Sequence, residues 1–426
     1  MNMKNNKYIL SFLLALAAPF VGFTHSMAQE VLADTIDDNA FAVDSVMPDT
    51  LSAEQLTLPW PQTVKAHIDN LLRNDMFRTS QVGIMVYDLD ADSAIYRHNE
   101  CQLMRPASTM KLITAITAID RLGGGYQFST ELCYTGQVSE RTLNGNVYCV
   151  GGFDPRFNSD DLKAFVEGLR KMGVDTIRGN IYADKTMKDT AQYGSGWCWD
   201  DDNPVLSPLL ISRKDNFMPR FLELLHESNI VVLGTTGCAP RPDGAYCIAR
   251  RSHTIDQVLM SMMKDSNNLY AESLFYQIAA STGNRPANAR HARHVEERLI
   301  AKVGLNPKCY RIADGSGLSL YNYVTPELEV RLLRYAFNNN NVYMHLQPSL
   351  PVAGIDGTLS RRMRGPFTQG NVRAKTGTVE GITSLAGYCT AANGHRLAFA
   401  IINQGVLHAH NGRAFQDSVC TILCQP

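Results

Sequence analysis

Several common signatures are missing from this 426-residue chain, and each absence excludes a class of protein. It contains no C-x-x-C and no H-E-x-x-H pattern, so we expect neither a metal site nor a cofactor. It has no excess of positive charge, since the formal net charge is −1, and this argues against a nucleic-acid partner. Beyond residues 8–23 no stretch is long and apolar enough to suggest a membrane span.

The N-terminal segment is typical of an export signal. Lys4 and Lys7 precede the apolar run, and Ser26-Met27-Ala28 ends in a small residue suited to cleavage before Gln29. A membrane anchor is the alternative, although the run is short for a spanning helix. We expect residues 1–28 to be a signal peptide, and the mature protein to be exported to the periplasm without a membrane span.

The segment that follows, residues 29–57, carries no Lys or Arg. Seven acidic residues lie between Gln29 and Glu54, and this composition predicts a solvated, disordered linker. Folded sequence is expected to begin near Leu58.

Ten cysteines follow the signal segment, and they are free to pair in an oxidising compartment. Cys238 and Cys247 lie symmetrically about a Pro-Asp-Gly turn signature, which makes them the best candidate pair. Cys133 and Cys149 bracket a second hairpin-like stretch. The alternative of buried free thiols stays open for all ten.

Three short motifs in a fixed order carry the chemistry. They are Ser108-Thr109-Met110-Lys111, Ser266-Asn267-Asn268 and Lys375-Thr376-Gly377-Thr378, which match S-x-x-K, S-x-N and K-T-G. Such a set supplies a serine beside a lysine that takes its proton, a second hydroxyl that relays the proton, and a cationic strand for a carboxylate. The order of the three motifs is as informative as the motifs themselves.

A second S-x-x-K occurs at Ser261–Lys264, so context must select the nucleophile. Ser108 precedes apolar residues at helical spacing up to Leu122, which predicts a buried helix opening at Ser108. Unpaired N–H groups and the positive end of the helix dipole would then lie beside its hydroxyl. The alternative for an isolated match is a helix-capping serine with a solvated lysine.

Strand patterns occur at both ends of the folded sequence. Residues 82–87 and 94–96 predict one hairpin, residues 384–390 and 396–403 predict another, and a closing helix follows at 414–423. The two ends are expected to form one antiparallel sheet packed against helices. Alternation in the last motif places Thr376, Thr378 and Glu380 on one face, and Lys375 and Gly377 on the other.

With these motifs the chain resembles the class C, low-molecular-mass penicillin-binding proteins of the D-alanyl-D-alanine carboxypeptidase/endopeptidase type. Further stretches resemble landmarks of that family: residues 152–155, 179–184, 196–201, 268–272, 314–319 and 350–359. The resemblance implies an α/β (α+β) transpeptidase fold of the penicillin-binding-protein/β-lactamase type, an antiparallel sheet flanked by helices. A smaller α/β domain is expected as an insert at 126–205, between parts of the main domain at 58–125 and 206–426.

The resemblance also implies a role for each motif residue. Ser108 would attack the carbonyl between two D-alanines, Lys111 would be the general base, and Ser266 would relay the proton. Asn268 would hold the substrate amide, and the terminal carboxylate would bind at residues 375–378. There, Gly377 would let the substrate backbone approach closely, and the N–H groups of Ser108 and Thr378 would form the oxyanion hole.

A further expectation from the resemblance concerns the residue that precedes D-Ala-D-Ala. Asp154 and Arg362 would hold the ammonium and carboxylate groups of a diaminopimelate side chain, and Glu380 would weaken the carboxylate contact. Arg361 is the alternative to Arg362. The alternative role for Asp154 is to start a turn before Pro155.

We therefore expect a serine D-Ala-D-Ala carboxypeptidase, with or without endopeptidase action, that cleaves peptidoglycan stem peptides and is acylated by β-lactams. A serine β-lactamase is one alternative, although it needs a deacylation base that the sequence does not reveal. The E-x-x-L-N stretch at Glu140 precedes the S-x-N motif and is not in the position of such a base. A non-catalytic peptidoglycan-binding relative is the other alternative.

Overall fold

The computed structural model describes residues 58–198 and 203–426. The expected signal peptide and acidic linker lie outside these residues. The helices are α1 (Gln62–Leu71), α2 (Met110–Leu122), α3 (Ser159–Lys171), α4 (Phe217–Glu227), α5 (Ile255–Lys264), α6 (Asn268–Ala280), α7 (Ala289–Lys302), α8 (Pro326–Asn338), α9 (Asn340–Ser349) and α10 (Ala409–Cys424). No described helix combines the length and the apolarity that crossing a bilayer requires.

The strands of the described residues form three sheets. They are β1 (Gln81–Asp88), β2 (Ser93–His98), β3 (Gln127–Tyr134), β4 (Gln137–Ser139), β5 (Thr142–Asn144), β6 (Val147–Val150), β7 (Thr176–Ile177), β8 (Ile181–Asp184), β9 (Val231–Val232), β10 (Thr236–Cys238), β11 (Tyr246–Thr254), β12 (Arg373–Val379), β13 (Ile382–Thr390) and β14 (Arg396–Gln404).

The main sheet joins the two ends of the folded sequence. Its order is β12-β13-β14-β1-β2, and every neighbouring pair is antiparallel. β1 pairs with β14 from Gln81 opposite Gln404 to Asp88 opposite Leu397. The expected antiparallel sheet built from both chain ends is therefore present.

Each face of this sheet is covered by a separate core. Along β14, Ala400 and Ile402 belong to the larger core, which contains α2, α6 and α8, while Phe399 and Ile401 belong to a core with α1 and α10. Because side chains alternate between the faces of a strand, two covered faces require an almost continuous apolar run. The buried sequence of β14 from Leu397 to Asn403 has this character.

Helix α2 lies at the centre of the larger core, and all ten residues from Met110 to Ile119 are buried. A helix that is buried on all sides needs apolar residues around most of its circumference. The sequence of α2 meets this requirement, and Lys111 is the one charged residue in the buried run. The helix therefore holds Lys111 in a fixed, water-poor position.

The inserted layer extends further along the chain than the sequence suggested. Its five-stranded sheet has the order β10-β8-β6-β3-β11, and its four-stranded sheet has the order β4-β5-β7-β9. Strands β9, β10 and β11 thus pair with strands from before residue 205, and Phe217 and Phe221 of α4 enter the same core. The sheets of the inserted layer therefore include strands up to Thr254, beyond the expected boundary at residue 205.

The strand order also changes the expected cysteine pairs. Cys238 on β10 and Cys247 on β11 lie at opposite edges of the five-stranded sheet, so the hairpin expected between them does not form. Cys149 lies opposite Leu132, whereas Cys133 lies opposite Tyr148. Since adjacent residues of a strand face opposite sides, Cys133 and Cys149 point away from each other.

Candidate active site

Ser108 lies in a single 3-10 turn, Ala107–Thr109, that leads directly into α2. Ala107 has a φ of 48°, a left-handed conformation that is strained for a residue with a side chain. A Cβ atom at Gly317 would lie 1.8 Å from the Ala107 carbonyl oxygen, so the loop that contains Gly317 packs tightly on this turn. As expected, the serine lies where the helix dipole favours negative charge.

Lys111 lies one helical turn after Ser108 and is fully buried. Its Nζ atom donates hydrogen bonds to Ser108 Oγ at 2.9 Å, Asn268 Oδ1 at 2.8 Å and the Ser316 carbonyl oxygen at 2.9 Å. The first contact gives the hydrogen-bond reach that a general base needs, and the other two fix the direction of the amine. The S-x-x-K and S-x-N motifs therefore meet at one nitrogen atom.

The Ser316 carbonyl is held in place by Glu272, which ends the family-like stretch 268–272 but had no role predicted from the sequence. Glu272 Oε1 accepts hydrogen bonds from the N–H groups of Gly315 at 3.1 Å and Ser316 at 2.8 Å. Thr114, on α2, donates to the Gly315 carbonyl oxygen at 2.8 Å. Burial and, secondarily, the nearby Asp314 raise the pKa of Glu272 to about 8. An acid within the apolar sequence of α6 was the signal that could have revealed it.

Asp314 organises the rest of this loop. Its carboxylate accepts from the N–H groups of Gly317 at 2.8 Å and Ser319 at 2.7 Å, and from Asn322 Nδ2 at 2.7 Å. Trp197 Nε1, from the segment between β8 and α4, donates to the same carboxylate at 2.8 Å. The loop that orients Lys111 is thus tied to this segment.

Ser266 and Lys375 form the second half of the site. Lys375 is fully buried, and its Nζ atom donates to Ser266 Oγ at 2.8 Å and to the Thr376 carbonyl oxygen at 2.8 Å. Ser266 lies between α5 and α6 with a φ of 57°, again a strained conformation. The S-x-N and K-T-G motifs therefore meet through a lysine and a hydroxyl.

Packing within the protein requires a residue without a side chain at position 377. A Cβ atom there would lie 2.1 Å from Ser384 Oγ and 2.8 Å from both the Ser108 nitrogen and the Pro106 carbonyl oxygen. Strand β12 therefore lies directly against the turn that carries the nucleophile. The space that was expected to admit a substrate backbone is bordered by atoms of the chain itself.

β12 is an edge strand of the main sheet. The Ala374 N–H donates to the Pro351 carbonyl oxygen at 3.0 Å, away from β13. Since backbone directions alternate along a strand, the N–H groups of Thr376 and Thr378 also point away from β13. Thr378 is exposed, and Thr376 Oγ1 donates to Thr358 Oγ1 at 2.7 Å.

Asp154 lies in a position that does not suit contact with a substrate ammonium. Its side chain is completely buried, His253 Nδ1 lies 2.7 Å from one carboxylate oxygen, and the Arg156 N–H donates to the other at 2.9 Å. The hydrogen bond with Asp154 raises the pKa of His253. This geometry corresponds to the turn that the sequence analysis gave as the alternative.

Arg362 is likewise engaged within the protein. Its guanidinium group contacts Asp417 Oδ1 at 2.7 Å and Gln416 Oε1 at 3.1 Å on α10. Arg361 is exposed, and it follows the turn that carries Thr358. Of the two arginines, the structure leaves Arg361 accessible. Glu380 is also exposed, in the turn after β12.

The second S-x-x-K match does not reproduce the geometry at Lys111. Ser261 Oγ donates to Asp265 Oδ2 at 2.8 Å, and Lys264 forms an ion pair with Asp356 at 2.7 Å. Glu140 lies in the turn of the β4-β5 hairpin within the insert. Both features therefore have structural roles, as the sequence context indicated.

The profile of the D-Ala-D-Ala carboxypeptidase 3 (S13) family matches residues 64–210 and 212–425. The chain belongs to this family. A D-alanyl-D-alanine carboxypeptidase of Actinomadura sp. is 27% identical, over 85% of this chain and 84% of its own length. A D-alanyl-D-alanine carboxypeptidase of Haemophilus influenzae is 26% identical, over 75% of this chain and 84% of its own.

Solved structures show the same fold as this S13 family member. Penicillin-binding protein 4 of H. influenzae superposes with a TM-score of 0.78 at 23% identity, covering 84% of this chain and 99% of that one. The same protein complexed with a β-lactam gives a TM-score of 0.72 at 24% identity, covering 84% of this chain and 100% of that one. The expected penicillin-binding-protein fold is confirmed by these structures, and the expected enzyme class, a serine-type D-Ala-D-Ala carboxypeptidase, is confirmed by the family match and the curated relatives.

Proposed function

We propose that Ser108 is the nucleophile by which this S13 family member cleaves the terminal D-Ala-D-Ala bond of peptidoglycan stem peptides. One observation carries the assignment: the buried Lys111 nitrogen joins Ser108 Oγ to the S-x-N motif and is oriented by the Ser316 carbonyl. A serine hydroxyl needs an adjacent base of this kind to attack a carbonyl at neutral pH.

Acylation transfers one proton in two steps. Ser108 Oγ attacks the carbonyl carbon of the penultimate D-alanine while its proton passes to neutral Lys111. The resulting oxyanion is stabilised by the N–H groups of Ser108 and Thr378, which the packing of β12 against the nucleophile turn supports. The proton then passes through Ser266 to the leaving nitrogen, the C–N bond breaks, and D-alanine departs.

Binding of the substrate carboxylate is the role proposed for the K-T-G strand. Lys375 supplies positive charge, Thr376 and Thr378 supply hydroxyl donors, and Asn268 holds the peptide amide. The contact of Lys375 with Ser266 gives this cation a second role, because it fixes the relay hydroxyl. Hydrolysis of the acyl-enzyme by water completes the cycle.

A β-lactam is proposed to acylate Ser108 by the same route and to leave slowly. The β-lactam complex of the structurally similar H. influenzae protein supports this proposal. Endopeptidase action on cross-links would use the same acylation step, since the bond again follows a D-alanine. A predatory peptidoglycan endopeptidase of Bdellovibrio bacteriovorus shares the fold, with a TM-score of 0.52 at 16% identity, covering 76% of this chain and 86% of that one. A substrate in the cell wall also requires an exported enzyme, so we propose a periplasmic location.

Product analysis on purified muropeptides tests the function. Incubation with pentapeptide muropeptides should release one D-alanine and leave the tetrapeptide, and a fluorescent penicillin should label the protein persistently. Rapid hydrolysis of penicillin without accumulation of an adduct would instead identify a β-lactamase. Absence of both labelling and D-alanine release would identify a non-catalytic relative.

A further inference from the structure

Two cysteines face each other across the edge of the inserted sheet. In the antiparallel pairing of β3 with β11, Cys133 lies directly opposite Cys247. Their Sγ atoms, together with a carboxylate oxygen of Glu131, all lie within 4.8 Å of one another. The pairs considered from the sequence were Cys238 with Cys247 and Cys133 with Cys149, so this pair is a different one.

The backbone geometry suits a covalent bond between the two sulfur atoms. Directly opposed residues of an antiparallel ladder have Cα atoms about 4.5–5.5 Å apart, and disulfides span Cα separations of about 4.4–6.8 Å. The next pair along the ladder shows that side chains meet in this register, because the rings of Tyr134 and Tyr246 are 5.4 Å apart. On the other side of the cysteine pair, a bulge between Cys247 and Ala249 shifts the register, and pairing continues from Ala249 opposite Leu132.

The surrounding charges favour a disulfide over a metal ion. Both carboxylate oxygens of Glu131 are paired with arginines, at 3.0 Å to Arg241 Nη1 and 2.7 Å to Arg250 Nη2. Arg241 Nη1 also lies 3.8 Å from Cys133 Sγ. A cation that contacts both the carboxylate and the thiol opposes the binding of a second cation.

We propose that Cys133 and Cys247 form an intramolecular disulfide that links β11 to β3. Exposed Cys247 first attacks a small disulfide oxidant such as oxidised glutathione, forming a mixed disulfide and releasing one thiol. Buried Cys133 then attacks the Cys247 sulfur and displaces the second thiol. Two protein thiols are oxidised and one external disulfide is reduced to two thiols, so electrons and protons balance.

The order of these steps follows from the two environments. Burial raises the pKa of Cys133 to about 11, partly offset by Arg241, so its thiol is a slow nucleophile towards solvent. Cys247 is exposed and reacts first. The bond would anchor the edge strand that continues from Thr254 directly into α5, and hence into the Ser266 loop. The proposal does not depend on the enzymatic activity.

Peptide mapping of the full protein tests the bond. The protein is equilibrated with oxidised glutathione, alkylated without reduction, and digested with trypsin and then with an endoproteinase that cuts before aspartate. The second cut is needed because Cys238 and Cys247 share the tryptic peptide 221–250, and cleavage before Asp243 separates them. The expected product links peptide 122–141 to peptide 243–250, and it disappears after reduction.

Three variants give the controls. Cys247→Ser, at an exposed position, should abolish the linked product and leave Cys133 unlinked, and Cys133→Ser should abolish it as well. Cys238→Ser should leave the linked product unchanged. Oxidised wild type should have a higher Tm than reduced wild type, and this difference should vanish in Cys247→Ser.

Three results would overturn the proposal. Linkage of Cys247 to Cys238, or of Cys133 to Cys149, would show that another register forms in solution. Alkylation of both Cys133 and Cys247 after full equilibration would show that no bond forms. Recovery of stoichiometric zinc, lost in Cys247→Ser, would show that the cluster binds a metal instead.

Discussion

The Nζ atom of Lys375 donates a hydrogen bond to Ser266 Oγ at 2.8 Å across 109 residues of sequence. The two groups come from different elements, the edge strand β12 and the loop between α5 and α6. Lys111 makes the corresponding bridge from Ser108 to Asn268. The site therefore has two buried lysines, each holding one serine hydroxyl, and this arrangement leads to specific expectations.

The first prediction separates the two S-x-x-K matches. Ser108→Ala should abolish covalent labelling by a fluorescent penicillin while leaving the thermal unfolding curve intact, because the Ser108 hydroxyl lies within hydrogen-bond distance of the Lys111 amine. Ser261→Ala is the matched control and should label normally, since Ser261 bonds to Asp265. An adduct located on any other serine by mass spectrometry would contradict the mechanism.

Lys111→Ala should lower the acylation rate constant by about 10²–10⁴-fold, the usual contribution of a general base. Non-covalent binding of penicillin should persist, because Lys375 and its strand are unchanged. Stopped-flow measurement of labelling gives the rate constants of wild type and Lys111→Ala. An unchanged rate constant in Lys111→Ala would refute the assignment of the base.

Gly377→Ala should disrupt the contact between β12 and the nucleophile turn. The added Cβ atom meets Ser384 Oγ at 2.1 Å and the Ser108 nitrogen at 2.8 Å. A shift of about 1 Å at the reacting groups costs on the order of 10²-fold in rate. Gly365→Ala is the control, because its nearest neighbour would be 3.7 Å away. Equal penicillin acylation by both variants would show that the close approach is unimportant.

Glu272 should make the stability of the enzyme pH-dependent. Folding raises the pKa of Glu272 from 4.5 to about 8, so the folded state binds this proton more tightly than the unfolded chain. The stability contributed by the proton is complete below about pH 4.5 and is lost as the pH rises through about 8. The slope is at most about 1.4 kcal/mol per pH unit for one proton.

The matched variant is Glu272→Gln, which keeps an Oε1 acceptor for the N–H groups of Gly315 and Ser316 without the titration. Chemical denaturation from pH 5 to 9 should give a flatter profile for Glu272→Gln than for wild type. Acylation at neutral pH should survive in Glu272→Gln and fall in Glu272→Ala, which cannot hold the Ser316 carbonyl. Parallel stability profiles for wild type and Glu272→Gln would contradict the proposed titration.

Substrate selectivity should depend on Arg361 rather than Arg362. Arg362 is committed to Asp417, whereas Arg361 is exposed near Thr358. If the diaminopimelate pentapeptide is cleaved faster than the lysine pentapeptide, Arg361→Ala should reduce the ratio of the two kcat/KM values several-fold. Arg362→Ala should instead lower Tm with the ratio unchanged. If Arg362→Ala removes the preference for the diaminopimelate pentapeptide and Arg361→Ala does not, Arg362 contacts that side chain, as first expected.

The role of Asp154 can be checked by measuring both the free energy of unfolding and the peptide selectivity of a variant. Its carboxylate holds His253 at 2.7 Å and is completely buried. Asp154→Asn should therefore lower stability below about pH 6.5, where His253 is charged in both states, and this loss should shrink as the pH rises through the raised pKa of His253. A change in peptide selectivity without a change in stability would show instead that Asp154 reaches the substrate.

The sequence by itself determined the chemistry and the main sheet. The S-x-x-K, S-x-N and K-T-G motifs specify residue types and chain order, and the helical spacing after Ser108 distinguishes it from Ser261. Strand alternation at both chain ends specified a sheet joined through its termini, because alternation and turn residues are local properties. These features need no knowledge of how distant segments meet.

Only the tertiary structure decided which groups orient the chemistry. The Ser316 carbonyl contacts Lys111 across 205 residues, and the family-like stretch 268–272 that contains Glu272 does not indicate that this acid supports the carbonyl. Asp154 and Arg362 stood at positions matching the family pattern, yet packing commits each to another partner. Likewise, Cys133 faces Cys247 because β11 pairs with β3 in one particular register. That register depends on how strands far apart in the sequence assemble. Burial and long-range register result from the packing of the whole chain, and a local pattern cannot specify them.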